Sequence, residues 1–207
     1  MKRVPRIWVV GISILCLMLW TNCSKPASEL KPYRLLHEPS THVKDRVKME
    51  VFVDFYCPHC HHFEALLLPA LRSEFGNRLD VTEIGLPVIR NKPLLPFELY
   101  EVALAEGKGT AMAKVLFRTL QDEKLDIQDP AVESNVITEV GLDPDFVKQQ
   151  LASGGPARAL NDGIARAARD GVQGTPTILL DGYVLTENSS VENLSMLIHK
   201  LLAGETL

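Results

Sequence analysis

The sequence predicts an α/β domain in the order β-α-β, a long helical block, then β-β-α. Three observations carry that prediction. The β-branched and aromatic segment Val47–Val53 runs straight into Cys57-Pro58-His59-Cys60 and a helical stripe. From about residue 91 to residue 172 the apolar positions follow a helical period, punctuated by cap signals. Strand patterning then returns at Pro176–Leu180 and Tyr183–Leu185, joined by the turn pair Asp181-Gly182.

Taken in order, Tyr33–His37 reads as a short strand and Val47–Val53 as a longer one. Pro58 suits the first turn of a helix, where its missing N–H goes unnoticed. Cys60, Phe63, Leu67 and Leu71 recur on one face of that helix, Gly76 stops it, and Leu79–Ile84 is the next strand. In the helical block, Phe97, Tyr100 and Leu104 form one stripe, and Met112, Val115, Leu116 and Leu120 the next. Asp129-Pro130 and Asp143-Pro144 are cap-plus-first-turn pairs for helices carrying Val132/Val136/Val140 and Phe146/Gln150/Leu151. A last helix of the block carries Leu160, Ile164, Ala167 and Ala168. Val191, Leu194, Ile198, Leu201 and Leu202 mark a closing amphipathic helix.

Composition bounds the function. The chain has 207 residues, 46% hydrophobic and 23% charged, which suits one ordered domain rather than a disordered chain. Lys2, Arg3 and Arg6 precede the mostly apolar Ile7–Trp20, too short for the roughly 20 residues of a membrane span and suited to an export signal. The formal net charge is −4, and loss of those three basic residues makes the exported part more acidic still. Such a surface disfavours nucleic acid and anionic membranes. Cys23 stands where the signal ends and is a candidate lipid-attachment cysteine, although Asn22 and Trp20 break the usual pattern. Cleavage to a soluble form and an uncleaved anchor stay open beside it. Residues 24–32 have linker composition.

Of four cysteines, Cys16 lies in the signal and Cys23 at its end, leaving Cys57 and Cys60 in the body. One closely spaced pair cannot staple a scaffold, because so short a loop restricts the unfolded chain little. Its use is chemical. A helix N-terminus favours thiolate on Cys57 as nucleophile, and His59 adds a donor or a positive charge to stabilise it. Cys60, one turn on, faces the core as the resolving thiol. Each ~1.4 kcal/mol of thiolate stabilisation makes a dithiol pair about 30 mV more oxidising. A strongly favoured thiolate therefore means a disulfide donor, and an ordinary one a reductase.

With F-x-C-P-H-C after an apolar strand, a helical insert, and Gly174-Thr175-Pro176-Thr177 before the terminal β-β-α, the chain resembles the DsbA-like branch of the thioredoxin superfamily over about residues 33–205. The resemblance implies a thioredoxin fold at 33–90 and 173–207 and a helical insertion at 91–172, behind the linker read at 24–32 and the export or lipoprotein signal read at 1–23. It implies a redox-active disulfide between Cys57 and Cys60, a cis Pro176 facing it, and Thr175 offering backbone groups to an extended substrate. It also implies a monomeric periplasmic oxidase of reduced exported proteins, anchored to the membrane if Cys23 is lipidated. No metal or cofactor follows from it. The implied partner is a DsbB-like membrane reoxidase, or a DsbD-like electron donor if the protein is a reductase or isomerase.

Two departures from the family stand out. Many thioredoxin-like enzymes bury an acid six residues before the first cysteine, where this chain has Val51; Glu50 and Asp54 are nearby, and Asp54 is the candidate substitute. The second is His61-His62 directly after the motif. Cys57-Pro58-His59-Cys60-His61 matches the c-type haem attachment pattern, with Met112 as the candidate axial ligand. Against haem stand the strand running into the motif and the unexplained Gly174–Thr177 segment. For His61 and His62 the plain reading is solvated helix surface. Phe55 and Tyr56 either line a client patch or pack inward. His37, His42 and His199 read as ordinary surface or packing residues.

Overall fold

The structure, a computed structural model, describes residues 33–205 and 207. The export signal, Cys23 and the linker thus lie outside the described residues.

Val47, Met49, Val51 and Val53 turn one fully buried face inward and form β2 (Val47–Val53), the central strand, whose other face is covered only at Phe52. It pairs in parallel with β3 (Leu79–Gly85) and antiparallel with β4 (Thr177–Leu180). β5 (Val184–Thr186) and the short β1 (Arg34–Leu35) complete a five-stranded sheet of order β1-β5-β4-β2-β3. The turn between β4 and β5 places Asp181 and Gly182 at φ 46° and 78°, the left-handed region that Asp and Gly tolerate. Leu180 faces Val184, so Tyr183 belongs to the turn rather than to the strand.

Pro58 opens α1 (Pro58–His62), which continues through a π-helical turn at Phe63–Leu67 into α2 (Leu68–Phe75), where Gly76 at φ 57° ends it. The π turn adds a residue to one turn and shifts the inward stripe. Leu68 is buried where an unbroken helix would bury Leu67, and the stripe runs Cys60, Phe63, Leu68, Leu71, Phe75.

The helical block comprises α3 (Leu95–Ala105), α4 (Gly109–Phe117), a second π turn at Arg118–Asp122, α5 (Pro130–Glu139), α6 (Pro144–Ala152) and α7 (Gly155–Arg169). Asp129 and Asp143 cap α5 and α6 by accepting the amides of Ala131 and Phe146. Three helices bury other residues than expected. Leu104 is exposed in the last turn of α3, where Ala103 faces inward. On α6 the buried residue is Val147, with Phe146, Gln150 and Leu151 only half-covered. On α7, Ala168 points outward beside the buried Ala167. α8 (Val191–Leu202), capped by Ser190, packs Leu194, Leu197, Ile198 and Leu201 into the core.

The insertion has no core of its own. One cluster joins Val47, Val51 and Val53 of the sheet and Cys60 and Phe63 of the first helix to Phe97, Tyr100, Met112 and Phe117 of the insertion. Phe55 is its pivot, with ring centroids 5.3, 5.5 and 5.2 Å from Phe97, Tyr100 and Phe117. A smaller cluster on the opposite sheet face holds Phe52, Leu179, Leu185 and Ala167 of α7. There Gly163 lets α7 approach closely: a Cβ would meet Ile84 at 3.0 Å.

Candidate active site

β2 pairs with β3 as far as Val53 and with β4 as far as Phe52, so the residues after it emerge at one fixed point above the sheet. Asp54 shapes the exit. It is wholly buried, and its carboxylate accepts the amides of Tyr56, Val88 and Ile89, each at 2.8 Å. Its carbonyl accepts the Cys57 amide at 2.9 Å. These bonds hold the cysteine loop against the segment after β3. Both oxygens are thereby occupied, so Asp54 is a loop anchor and not the stand-in proton-transfer acid.

Cys57 occupies the N-cap of α1, with extended backbone and no side-chain cap bond. Its thiol donates to the Thr175 carbonyl at 3.5 Å. The Thr175–Pro176 peptide is cis, and β4 starts at the next residue. Two segments 118 residues apart therefore meet at one sulfur. Both cysteines are free thiols. Cys57 is 6% exposed and Cys60 0%, so the attacking sulfur is more sheltered than expected: the Thr175 loop lies against it. The contrast survives in kind, because Cys60 has no exposure. Burial pushes the Cys60 thiol up to about 12.

His59 is exposed at the helix start. His61 is not the solvated residue expected. It stacks on Phe117 at 6.1 Å and pairs with Asp122 at 3.4 Å, tying the cysteine helix to the second π turn; His62 is exposed. From the same turn Gln121 donates to the Phe55 carbonyl at 3.0 Å. Phe55 is buried, so it packs rather than forming a client patch; Tyr56 is half-buried with the Lys92 ammonium 5.1 Å from its ring. Met112, the candidate haem ligand, is fully buried in the shared core. Three residues were not singled out from sequence: Glu64, Glu83 and Tyr100 as polar groups. Glu83 was open to notice, since alternation along Leu79, Val81, Glu83 turns it inward.

A cysteine pair at a strand-to-helix junction, held against a cis-proline loop from a distant strand, defines a thioredoxin-type dithiol domain. The family model described as Thioredoxin matches residues 42–200, and the chain belongs to that family. A putative protein-disulfide oxidoreductase of Rickettsia typhi is 29% identical over 160 residues, 72% of this chain and 56% of that protein. The chain thus spans little more than half the length of that relative. The thiol:disulfide interchange protein DsbA of Burkholderia cepacia is 21% identical, with 90% of this chain and 87% of that one covered. Among solved structures, oxidised BdbD from Bacillus subtilis superposes with a TM-score of 0.67 at 17% identity, covering 84% of this chain and 95% of that one. DsbL of Salmonella enterica gives 0.63 at 14% identity, covering 82% and 94%. Both share the fold, helical insertion included.

Proposed function

We propose that this chain is a DsbA-like thiol:disulfide oxidoreductase that oxidises exported proteins in the periplasm. The observation that carries the reading is the unequal pair: Cys57 touches the Thr175 carbonyl and retains some exposure, while Cys60 retains none. A client thiolate attacks Cys57 of the Cys57–Cys60 disulfide, forming a mixed disulfide and releasing Cys60 as thiolate. A second client thiolate attacks the client sulfur of that mixed disulfide, releasing oxidised client and leaving both enzyme thiols reduced. The Thr175 backbone beside Cys57 suits an extended client segment, since backbone groups bind any sequence. The resemblance to DsbA proteins and an apolar N-terminal run support export, and Cys23 would supply a lipid tether.

The test is the equilibrium of the pair with glutathione, together with two variants. An oxidase gives a potential of roughly −120 to −200 mV, whereas a value near −270 mV would move the protein to the reductases. Cys57→Ser abolishes exchange; Cys60→Ser accumulates the mixed disulfide, seen as a mass shift. Failure of Cys60→Ser to trap a client would remove the assignment of roles.

A further inference from the structure

The cysteine loop leaves β2 between two flanks. β4 and β3 lie on either side of β2, and Thr175 stands two residues before β4 at the cysteine end of the sheet. β3 runs parallel to β2, so the segment after it reaches the same end, where Asp54 ties the Val88 and Ile89 amides to the cysteine loop. A client cysteine joined to Cys57 thus has Thr175 on one side and this second segment on the other.

On that second side the loop after β3 and the loop after the second π turn enclose a cleft of about 550 Å³ against Tyr56, the covalent neighbour of Cys57. Its charges are unevenly answered. Lys92 and Lys124 line it, and among the described residues neither ammonium meets a carboxylate; Lys92 has only the Tyr56 ring. The acids just before Lys124 are already taken, Asp122 by His61 and Glu123 by Arg118. Asp126 also lines the cleft, and one of its oxygens accepts the Gln128 amide at 3.0 Å. Tyr56 adds a hydroxyl that is buried with no hydrogen-bond partner. Burial, then Asp54 and Asp126, push that hydroxyl up to about 12, so it stays a donor. Donors therefore outnumber acceptors here, on a chain whose formal net charge is −4. Asn91 and Lys124, on the two facing loops, both hold left-handed backbone, at φ 61° and 54°. Asparagine tolerates that region, but lysine gains nothing from it locally, so the surrounding fold holds Lys124 at the cleft.

We propose that this cleft is a client subsite that selects an acidic residue near the client cysteine, its carboxylate seated between the Lys92 and Lys124 ammonium groups. Extended chain spans about 10 Å in three residues, which sets the reach of that acid from the cysteine. An apolar neighbour of the acid lies against the exposed Leu125. The proposal rests on the oxidoreductase reading and names its substrate class; the sulfur chemistry is unchanged. Both lysines are exposed, so their attraction acts on client capture and is screened by salt.

The experiment is single-turnover oxidation of reduced dithiol peptides by the disulfide form of the full chain, quenched and read by mass. Three peptides differ only at one position two residues from a cysteine, which holds Glu, Gln or Lys. A nearby charge also alters a peptide's own thiol, so each rate is divided by that of the same peptide with neutral hydroxyethyl disulfide. Wild type is expected to favour the Glu over the Lys peptide on the order of tenfold at about 0.05 M salt, and severalfold less at about 0.5 M. Lys92→Gln combined with Lys124→Gln should bring that ratio toward one, and Asp126→Asn should raise it. An unchanged ratio in the folded double variant would overturn the subsite while leaving the redox pair standing. A wild-type preference for the Lys peptide would overturn it too, since Asp126 would then govern the cleft. Absence of exchange with all three peptides would instead overturn the oxidoreductase reading.

Discussion

Two glutamates on neighbouring strands, Glu50 on β2 and Glu83 on β3, face opposite sides of the sheet and meet opposite treatment. Glu50 looks toward α7, where the Arg166 guanidinium grips both its oxygens at 2.6 Å, and it stays partly exposed. Glu83 looks toward the cysteine helix. It has one shared hydroxyl, an orphan oxygen and, among the described residues, no cation in contact, so burial holds its proton more tightly than usual. The difference teaches where the fold spends its charge. On the α7 face a carboxylate is answered by a bidentate partner and serves attachment. On the cysteine face a carboxyl has no ion-pair partner among the described residues, and burial favours its neutral form.

The comparison can be broken hardest at Phe55. Its ring is the point at which the cysteine loop, α3 and α4 converge on the cysteine face. Phe55→Ala is expected to destabilise by about 3–5 kcal/mol through lost burial and an unfilled cavity. Denaturant titration should show one cooperative transition for sheet and insertion together, because they share a core. Two separated transitions would make the insertion an independent domain.

That shared core marks the limit of what the sequence reveals. Strand β2, the helix start at Pro58, the stop at Gly76, the Asp-Pro helix starts and the terminal β-β-α are written in local pattern, so their places could be read directly. The meeting of Cys57 with Thr175 was reachable only through resemblance, since no periodicity joins residues so far apart. The π turn at Phe63–Leu67 leaves no local mark, and it alone moved the stripe from Leu67 to Leu68. Asp54 looked like a proton carrier because its spacing to Cys57 was visible, whereas its amide donors at Val88 and Ile89 were not. His61 was read as solvent-facing because its partners, Phe117 and Asp122, belong to another helix. Local signals survive in sequence; pairings across the fold do not.

A smaller effect sharpens the contrast through pH. Glu64 is raised from 4.5 to about 7 in the fold, chiefly by burial. A carboxyl with a raised folded value takes up protons on folding between those limits. The penalty of burying its charge is therefore absent below about pH 4.5 and fully present above about pH 7. Glu64→Gln should leave stability nearly unchanged at pH 4.5 and raise it at pH 8, by at most about 3 kcal/mol. Thermal midpoints across that range check it, and an equal shift at both ends would mean that the charge of Glu64 does not matter to folding.

The smallest expected effect belongs to the answered carboxylate. Glu50 and Arg166 keep side-chain exposures of 24% and 31%, so solvent screens the pair and its net contribution stays near 1 kcal/mol despite the two short bonds. A double-mutant cycle of Glu50→Gln and Arg166→Met isolates that coupling from the lost packing of the arginine stem. The coupling should shrink as salt rises from 0.1 to about 1 M, where the Debye length falls from roughly 10 to 3 Å. Activity should be indifferent to both changes, since α7 and the cysteines lie on opposite faces of the sheet. If either variant slowed disulfide exchange while remaining folded, the two faces would be coupled through β2, and the division between attachment and chemistry would fail at that strand.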